Sequence, residues 1–348
     1  MDEVATTYKR RNSRFWLYTP FILLVLVAIA WSVAWWMVRG RAIDSLDAWL
    51  ATETRAGRQW ACADRQIGGY PFRIVVACGS LTLKQGPVTA SLGRVTSMSQ
   101  VYQPAFVITE IAGPLRVSDG RATLEGSWDL LQSSIHASSR GLHRFSLVAD
   151  APRFIMTGLG QDAVVSNSRH LEIHVRPDPA RVADKAYDVA LSVTEAQIPV
   201  LDRLVGGAEP ADISLDATVT QAEGFRARPV DQELERWRIA GGTLEVIMLS
   251  VAKGARRAEA KGDIRLDDLR RPTGQLTVSA AGLDGLLGNV VGGRLGGALL
   301  GALFGQAPRG DAPAAQPSLV ALPPLRLDNG KLAMGPFVVP GVRFAPLY

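Results

Sequence analysis

The chain has 348 residues, 47% of them hydrophobic, with a net charge of +5. That length can bury a large core, as one big β-domain or two smaller ones. The positive charge is concentrated in residues 1–41, where Lys9, Arg10, Arg11, Arg14, Arg39 and Arg41 oppose Asp2 and Glu3; the rest is close to neutral, which sets nucleic acid aside as a partner.

Residues 1–14 form a basic tail, and residues 15–38 follow as 24 positions without a charged side chain. A membrane-spanning helix needs roughly 20 apolar residues, so this run is long enough. Trp16 and Tyr18 stand near one end and Trp31, Trp35 and Trp36 near the other, in the manner of interfacial aromatic belts. Four basic residues before the span, against two after it, predict a cytoplasmic N-terminus and an exported body. The competing reading is a signal peptide cleaved after a small-residue site at 28–30 or 32–34; there, however, the apolar run continues through bulky tryptophans. Either reading exports the remaining residues.

Ile43, Leu46, Trp49 and Leu50 recur at helical spacing after Gly40 and predict a juxtamembrane helix over 39–59. Cys62 and Cys78 are the two cysteines. In an oxidising compartment they read as a disulfide, the alternative being two reduced, buried thiols. Between them lies a strand-entry motif, Gly69, Tyr70, Pro71, Phe72 and Arg73, in which glycine permits a sharp turn and proline opens a strand. Phe72, Ile74, Val76 and Cys78 then share one face by period two.

Alternation of apolar and polar residues recurs at 170–176, 187–194, 213–220 and 275–280, which predicts antiparallel sheet with one apolar and one wet face. Residues 242–251 are apolar on both faces and are expected to lie deeper. Residues 283–304 read as a glycine-rich apolar helix within a β-rich exported domain at 60–304, and 305–318 as a Pro/Ala/Gly linker. Asn329-Gly330 marks a hairpin within 319–348 that completes the sheet. The expected fold is mainly β: an N-terminal transmembrane helix, then an elongated, curved, mostly antiparallel sheet with few helices, forming a half-open groove or a sandwich.

Candidate chemistry is sparse. His170, Glu172 and His174 share a strand face and are the best metal set, but a wet face is where such residues ordinarily sit. His136 and His143 flank an expected loop, and no nucleophile elbow, P-loop, dinucleotide fingerprint or zincin motif occurs. No catalytic, cofactor-binding or metal residue is therefore assigned, no cofactor is expected, and the protein is read as non-enzymatic.

Residues 60–78, "WACADRQIGGYPFRIVVAC", resemble the opening of the bacterial domain of unknown function 2125 family, and "WRIAGGTLEVIMLSV", "KGDIRLDDLRRPTGQLTVSAAGLDGLL" and "LPPLRLDNGKLAMGPFVVPGVRFAPL" resemble its later pattern. The second half is more distantly similar to AsmA-like envelope proteins. This resemblance implies an inner-membrane anchor carrying a curved periplasmic sheet that handles phospholipid or another envelope lipid. The alternative is a closed β-domain serving as scaffold for other envelope proteins. It supplies no catalytic residue, and the lipid-facing residues are left unassigned.

Overall fold

The computed structural model describes residues 15–138, 141–158, 160, 162–199, 201–202, 207–222, 230–282 and 319–348. The chain opens with α1 (Phe15–Arg55), a single 41-residue helix. The segment expected as a separate juxtamembrane helix over 39–59 is the second half of this helix, which ends at Arg55. A glycine inside a helix costs about 1 kcal/mol; here contacts to the sheet on both sides of Gly40 hold the helix together. Its Leu17–Arg55 portion has a mean hydropathy of 2.4 in its most apolar window, sufficient in length and composition to cross a membrane.

The β-structure begins with seven long strands, each broken once. The pairs are β1 (Gln59–Ala63) with β2 (Gln66–Gly68), β3 (Arg73–Cys78) with β4 (Ser80–Gln85), and β5 (Val88–Leu92) with β6 (Val95–Gln100). They continue with β7 (Gln103–Ile111) and β8 (Leu115–Ser118), β9 (Thr123–Ser127) and β10 (Leu130–Ser138), β11 (Gly141–Asp150) and β12 (Arg153–Thr157), and β13 (Val164–Asn167) and β14 (His170–Pro177). One half of each enters a 7-stranded sheet ordered β1-β4-β5-β8-β9-β12-β13, and the other half enters a 16-stranded sheet.

These are two flaps of one creased meander. Ala63 pairs with Ser80 in one flap, and three residues on, Gln66 pairs with Ala77 in the other, so the antiparallel register is unbroken across the break. The same continuity joins Arg153↔Ser127 to Leu130↔Asp150, and Arg153↔Asn167 to Asp150↔His170. Backbone bonds carry the ladder through the crease: Gly79 N donates to Ala63 O at 2.8 Å, Asp129 N to Asp150 O at 3.0 Å, and Ala151 N to Arg169 O at 2.8 Å.

The larger flap continues alone through β15 (Tyr187–Ala196), β16 (Ala211–Val219), β17 (Leu244–Lys253), β18 (Arg256–Leu266) and β19 (Pro272–Ala281). A short helix, α2 (Val230–Ile239), lies between β16 and β17 and buries Trp237, whose indole donates to Thr220 O at 2.8 Å. The far edge holds β20 (Val320–Ala321), β21 (Leu325–Asp328), β22 (Lys331–Met334) and β23 (Phe337–Arg343). Asp328 pairs with Lys331 around Asn329 (φ 52) and Gly330 (φ 71), the two left-handed residues of a type I′ hairpin. All pairings are antiparallel and, apart from the two-residue β20, each long strand neighbours the next in sequence; the sheets do not close.

One expectation changes. Residues 242–251 do not lie deep on both faces: Val246 is buried, but Ile247 is 56% exposed. The register of β17 shifts between Val246 and Leu249, so a bulge puts both of those on one face and turns Ile247 to the other. His136 and His143, expected to flank a loop, sit on β10 and β11. The apolar helix expected at 283–304 and the linker at 305–318 lie outside the described residues.

Candidate functional site

The first strand folds back along the second half of α1, and the contacts are specific. Trp31 Nε1 donates to Pro71 O at 2.9 Å, and one helical turn on, Trp35 Nε1 donates to Arg73 O at 2.9 Å. Ser32 Oγ and Tyr70 Oη are 2.9 Å apart. The rings of Trp31 and Phe72 lie 5.9 Å apart, and those of Trp35 and Tyr70 lie 5.4 Å apart, edge to face. Arg39 Nε donates to Ile67 O, Arg65 pairs with Asp47 at 2.6 Å, and Arg58 forks onto Glu53 at 2.6 and 2.7 Å. That fork, with the Trp60 indole, holds the Glu53 carboxyl below its ordinary range.

The strand-entry motif is thus the sheet's seat on the helix. Gly69 has φ +105, and a Cβ there would lie 2.6 Å from Arg73 O, so the turn requires glycine. Phe72, expected on the inward face with Ile74, Val76 and Cys78, belongs to the turn and is 58% exposed; the strand starts one residue later, at Arg73. Ile74 and Cys78 are buried.

Cys62 and Cys78 are bonded, with their Cα atoms 5.2 Å apart. Cys62 pairs with Leu81 in register, three residues beyond Cys78. A flat ladder would place the two Cα atoms about 11 Å apart, from strand rise and spacing. The difference measures the crease: the flaps fold toward the face that carries both cysteines.

That inner face is lined by rows running across the strands. One row reads Leu147, Ile173, Leu191, Leu215, Leu249, Ala260 and Val278 by successive pairings. Its large side chains from Leu147 to Leu249, and Val278, are only half-buried. Flanking rows contain buried Ala149 and Val193 on one side, and Ala217 and Val246 on the other. Toward the anchor the central row turns polar at Ser97, Thr109 and Ser133, with Ser97 and Thr109 hydroxyls 2.9 Å apart.

The outer face carries the charges. Asp150 Oδ1 lies 2.6 Å from His170 Nδ1, His170 Nε2 lies 2.8 Å from Glu172 Oε1, Glu172 Oε2 lies 3.1 Å from His174 Nε2, and His174 Nδ1 lies 2.9 Å from Ser146 Oγ. The carboxylates of Glu172 and then Asp150 push the His170 pKa up, and the two histidines push Glu172 down. Both His170 nitrogens are taken up by carboxylates, and among the described residues no set of three or more metal-ligating side chains forms. Ser146, His174 and Glu172 do meet, a proximity not foreseen from sequence. However, Ser146 sits inside β11 with β10 and β14 on both sides, so its neighbouring N–H groups serve the ladder rather than an oxyanion. Beside this row is an open depression of about 690 Å³ lined by Arg144, His174, Arg176, Asp188, Asp216 and Ile247.

Residues 35–341 match the family described as an uncharacterized protein conserved in bacteria (DUF2125). The chain belongs to this family. Neither a curated protein nor a solved structure matches it. The DUF2125 match opens at Trp35, whose indole holds Arg73, so it takes in the second half of α1, the turn motif, the disulfide and both faces, while Trp31 and Ser32 precede it.

Within this DUF2125 chain, sequence reasoning located the cysteines and the turn motif but not what the motif touches. The signal was present: Trp31 and Trp35 are four residues apart and so share a helix face with Ser32 beside them. An interfacial belt uses the same spacing.

Proposed function

We propose that this protein is a non-enzymatic, membrane-anchored module that binds acyl chains of envelope lipid on the inner face of its creased sheet. The N-terminus is cytoplasmic and the sheet periplasmic, in keeping with the basic residues ahead of the span. The observation that carries this reading is the half-exposed central row. A sheet face must be covered by protein or by something else, and the aliphatic side chains of this row are left part-exposed by the described residues. From Leu147 to Val278 the row crosses seven strands, about 29 Å at the usual strand spacing. That is about twice the depth of one leaflet's hydrocarbon. The resemblance to AsmA-like proteins agrees with it.

The test is site-specific photocrosslinking in living bacteria. A photoreactive amino acid at Leu191 or Leu215 is expected to give phospholipid adducts by mass spectrometry, and one at Ser192 or Asp216, on the outer face, is not. Crosslinks from Leu215 to another protein would favour a scaffold. That second reading has its own observation: β23 ends the sheet order, with Val338 57% exposed. Crosslinks confined to the chain itself would mean the face is self-covered, and the lipid reading would fall.

A further inference from the structure

The seat of the sheet on α1 lies at a height that the bilayer must reach. The uncharged run starts at Phe15, and residues 15–30 supply 16 positions, or about 24 Å of helix. The hydrocarbon core is about 30 Å thick, so the span must extend to about residue 34. Trp31, Ser32 and Trp35 are where the turn at 69–73 is bound. The turn therefore sits at the edge of the hydrocarbon, alongside the helix.

Its chemistry suits that place. Tyr70 and Phe72 are 57% and 58% exposed, and Tyr102, in the adjoining turn, is 62% exposed. The two turns are joined, since Val101 N donates to Phe72 O at 3.0 Å. Residues 69–72 and 100–103 contain no charged side chain. Several of the turn's polar groups are paired within the protein: Pro71 O and Arg73 O accept from indoles, Tyr70 Oη meets Ser32 Oγ, and Arg73 N donates to Gly69 O at 2.9 Å. Internal pairing is the condition for irregular backbone to leave water. Exposed Arg73 closes the turn, and the first basic group beyond on the helix, Arg39, lies over the Trp36 ring at 5.3 Å, the order of aromatic then cation found at a membrane surface.

We propose that the turns at 69–73 and 100–103 are a foot seated in the interfacial layer of the bilayer, with Tyr70, Phe72 and Tyr102 inserted among the lipids. The sheet then stands on the membrane instead of swinging from its anchor. This rests on the anchoring half of the proposed function and not on the acyl-binding face.

The test uses the full chain in vesicles of phosphatidylcholine and phosphatidylglycerol, with an environment-sensitive fluorophore on a single added thiol; the native cysteines are bonded. Tyr102→Cys reports the foot. Leu24→Cys reports the span, and Arg121→Cys, in the turn joining β8 to β9, reports the far end of the strands. A nitroxide near the headgroup end of the acyl chain is expected to quench the label at 102, and one near its methyl end the label at 24, each with a blue shift and protection from aqueous iodide, and neither is expected to quench the label at 121. If 24 is quenched but 102 behaves like 121, the anchor stands and the foot is refuted. If 24 is not quenched either, anchoring fails and takes the foot with it.

Discussion

Removing the disulfide tests whether the crease is held from its inner side. The change is Cys62→Ser with Cys78→Ser, which retains near-native volume and removes the covalent tie. The cysteines are 16 residues apart in sequence, and closing a loop of that size is worth about 3 kcal/mol, chiefly by restricting the open chain. Because a long meander can open at one edge without unfolding throughout, the quantity to follow is local. Hydrogen exchange on the full chain in detergent micelles reads the opening free energy strand by strand. Opening of β1–β4 is expected to become easier by about 3 kcal/mol, with β15–β19, far along the meander, unchanged. The disulfide lies at the edge next to α1, so the loss should decay outward from that edge. Unchanged protection across β1–β4 would refute the reasoning. It would mean that the unbroken register and the bonds at Gly79 fix the crease unaided, and that the sulfurs merely occupy a geometry already set.

Gly93 lies in the crease with Gly113 O 2.3 Å and Ala112 O 2.8 Å from where a Cβ would be; Gly93→Ala should destabilise by about 1–3 kcal/mol in urea unfolding, while Gly68→Ala, with open space around it, should not. Trp35 is 6% exposed, and Trp35→Phe strands the Arg73 carbonyl, for an expected loss of about 1–3 kcal/mol, read as faster exchange in the 69–73 turn. The raised pKa of His170 makes its contribution fully present below the ordinary histidine value of about 6.5, and lost as pH climbs through the folded value. Glu172, shifted down, contributes above its ordinary range and loses that contribution as pH falls through its folded value. The wild type should therefore weaken relative to His170→Gln as the urea midpoint is followed from pH 6 to 9; parallel curves would dismiss the ladder as a stabilising element.

Much of this architecture is written in the chain. Alternation at 170–176, 187–194, 213–220 and 275–280 corresponds to β14, β15, β16 and β19, and Asn329-Gly330 forms the turn it announces. The crease was not read, although it leaves a mark. Phe145, Leu147 and Ala149 point inward, and so do Phe154 and Met156, so the inward phase slips by one place at Ala151-Pro152. A phase slip with a proline looks the same as a turn between separate strands. Only the pairing partners distinguish them: after a turn the register reverses, and across a crease it continues. The bulge in β17 hid for a related reason, since "VIML" is equally a buried strand or an amphipathic one with an extra residue. The charged row of the outer face was legible as a wet face, but Ser146 and Asp150 join it from another strand 20 or more residues away, beyond any local pattern.

The joint between anchor and sheet bears on what the sheet is for. A binding domain that only had to stay near a membrane could hang from a flexible tether, and glycine- or serine-rich sequence would serve. This chain instead extends α1 through residues 39–55, about 25 Å of helix past the uncharged run. The first strand is then fastened back along it at Trp31, Trp35, Arg39, Asp47 and Glu53. Five fastenings along one helix fix the height and the tilt of the sheet together, since removing any one leaves the others to define the axis. Under the anchoring proposed above, a fixed height would let something on the sheet meet the bilayer at a defined level. The inner face begins with Ile67 and Val76 on the strands so fastened, turns polar at Ser97, Thr109 and Ser133, and is apolar again from Leu147 onward. Under the lipid role proposed above, a lipid moving out along that face would cross the hydroxyls of Ser97, Thr109 and Ser133 before its chains met the long aliphatic row, an order that a rigidly seated sheet can offer and a tethered one cannot.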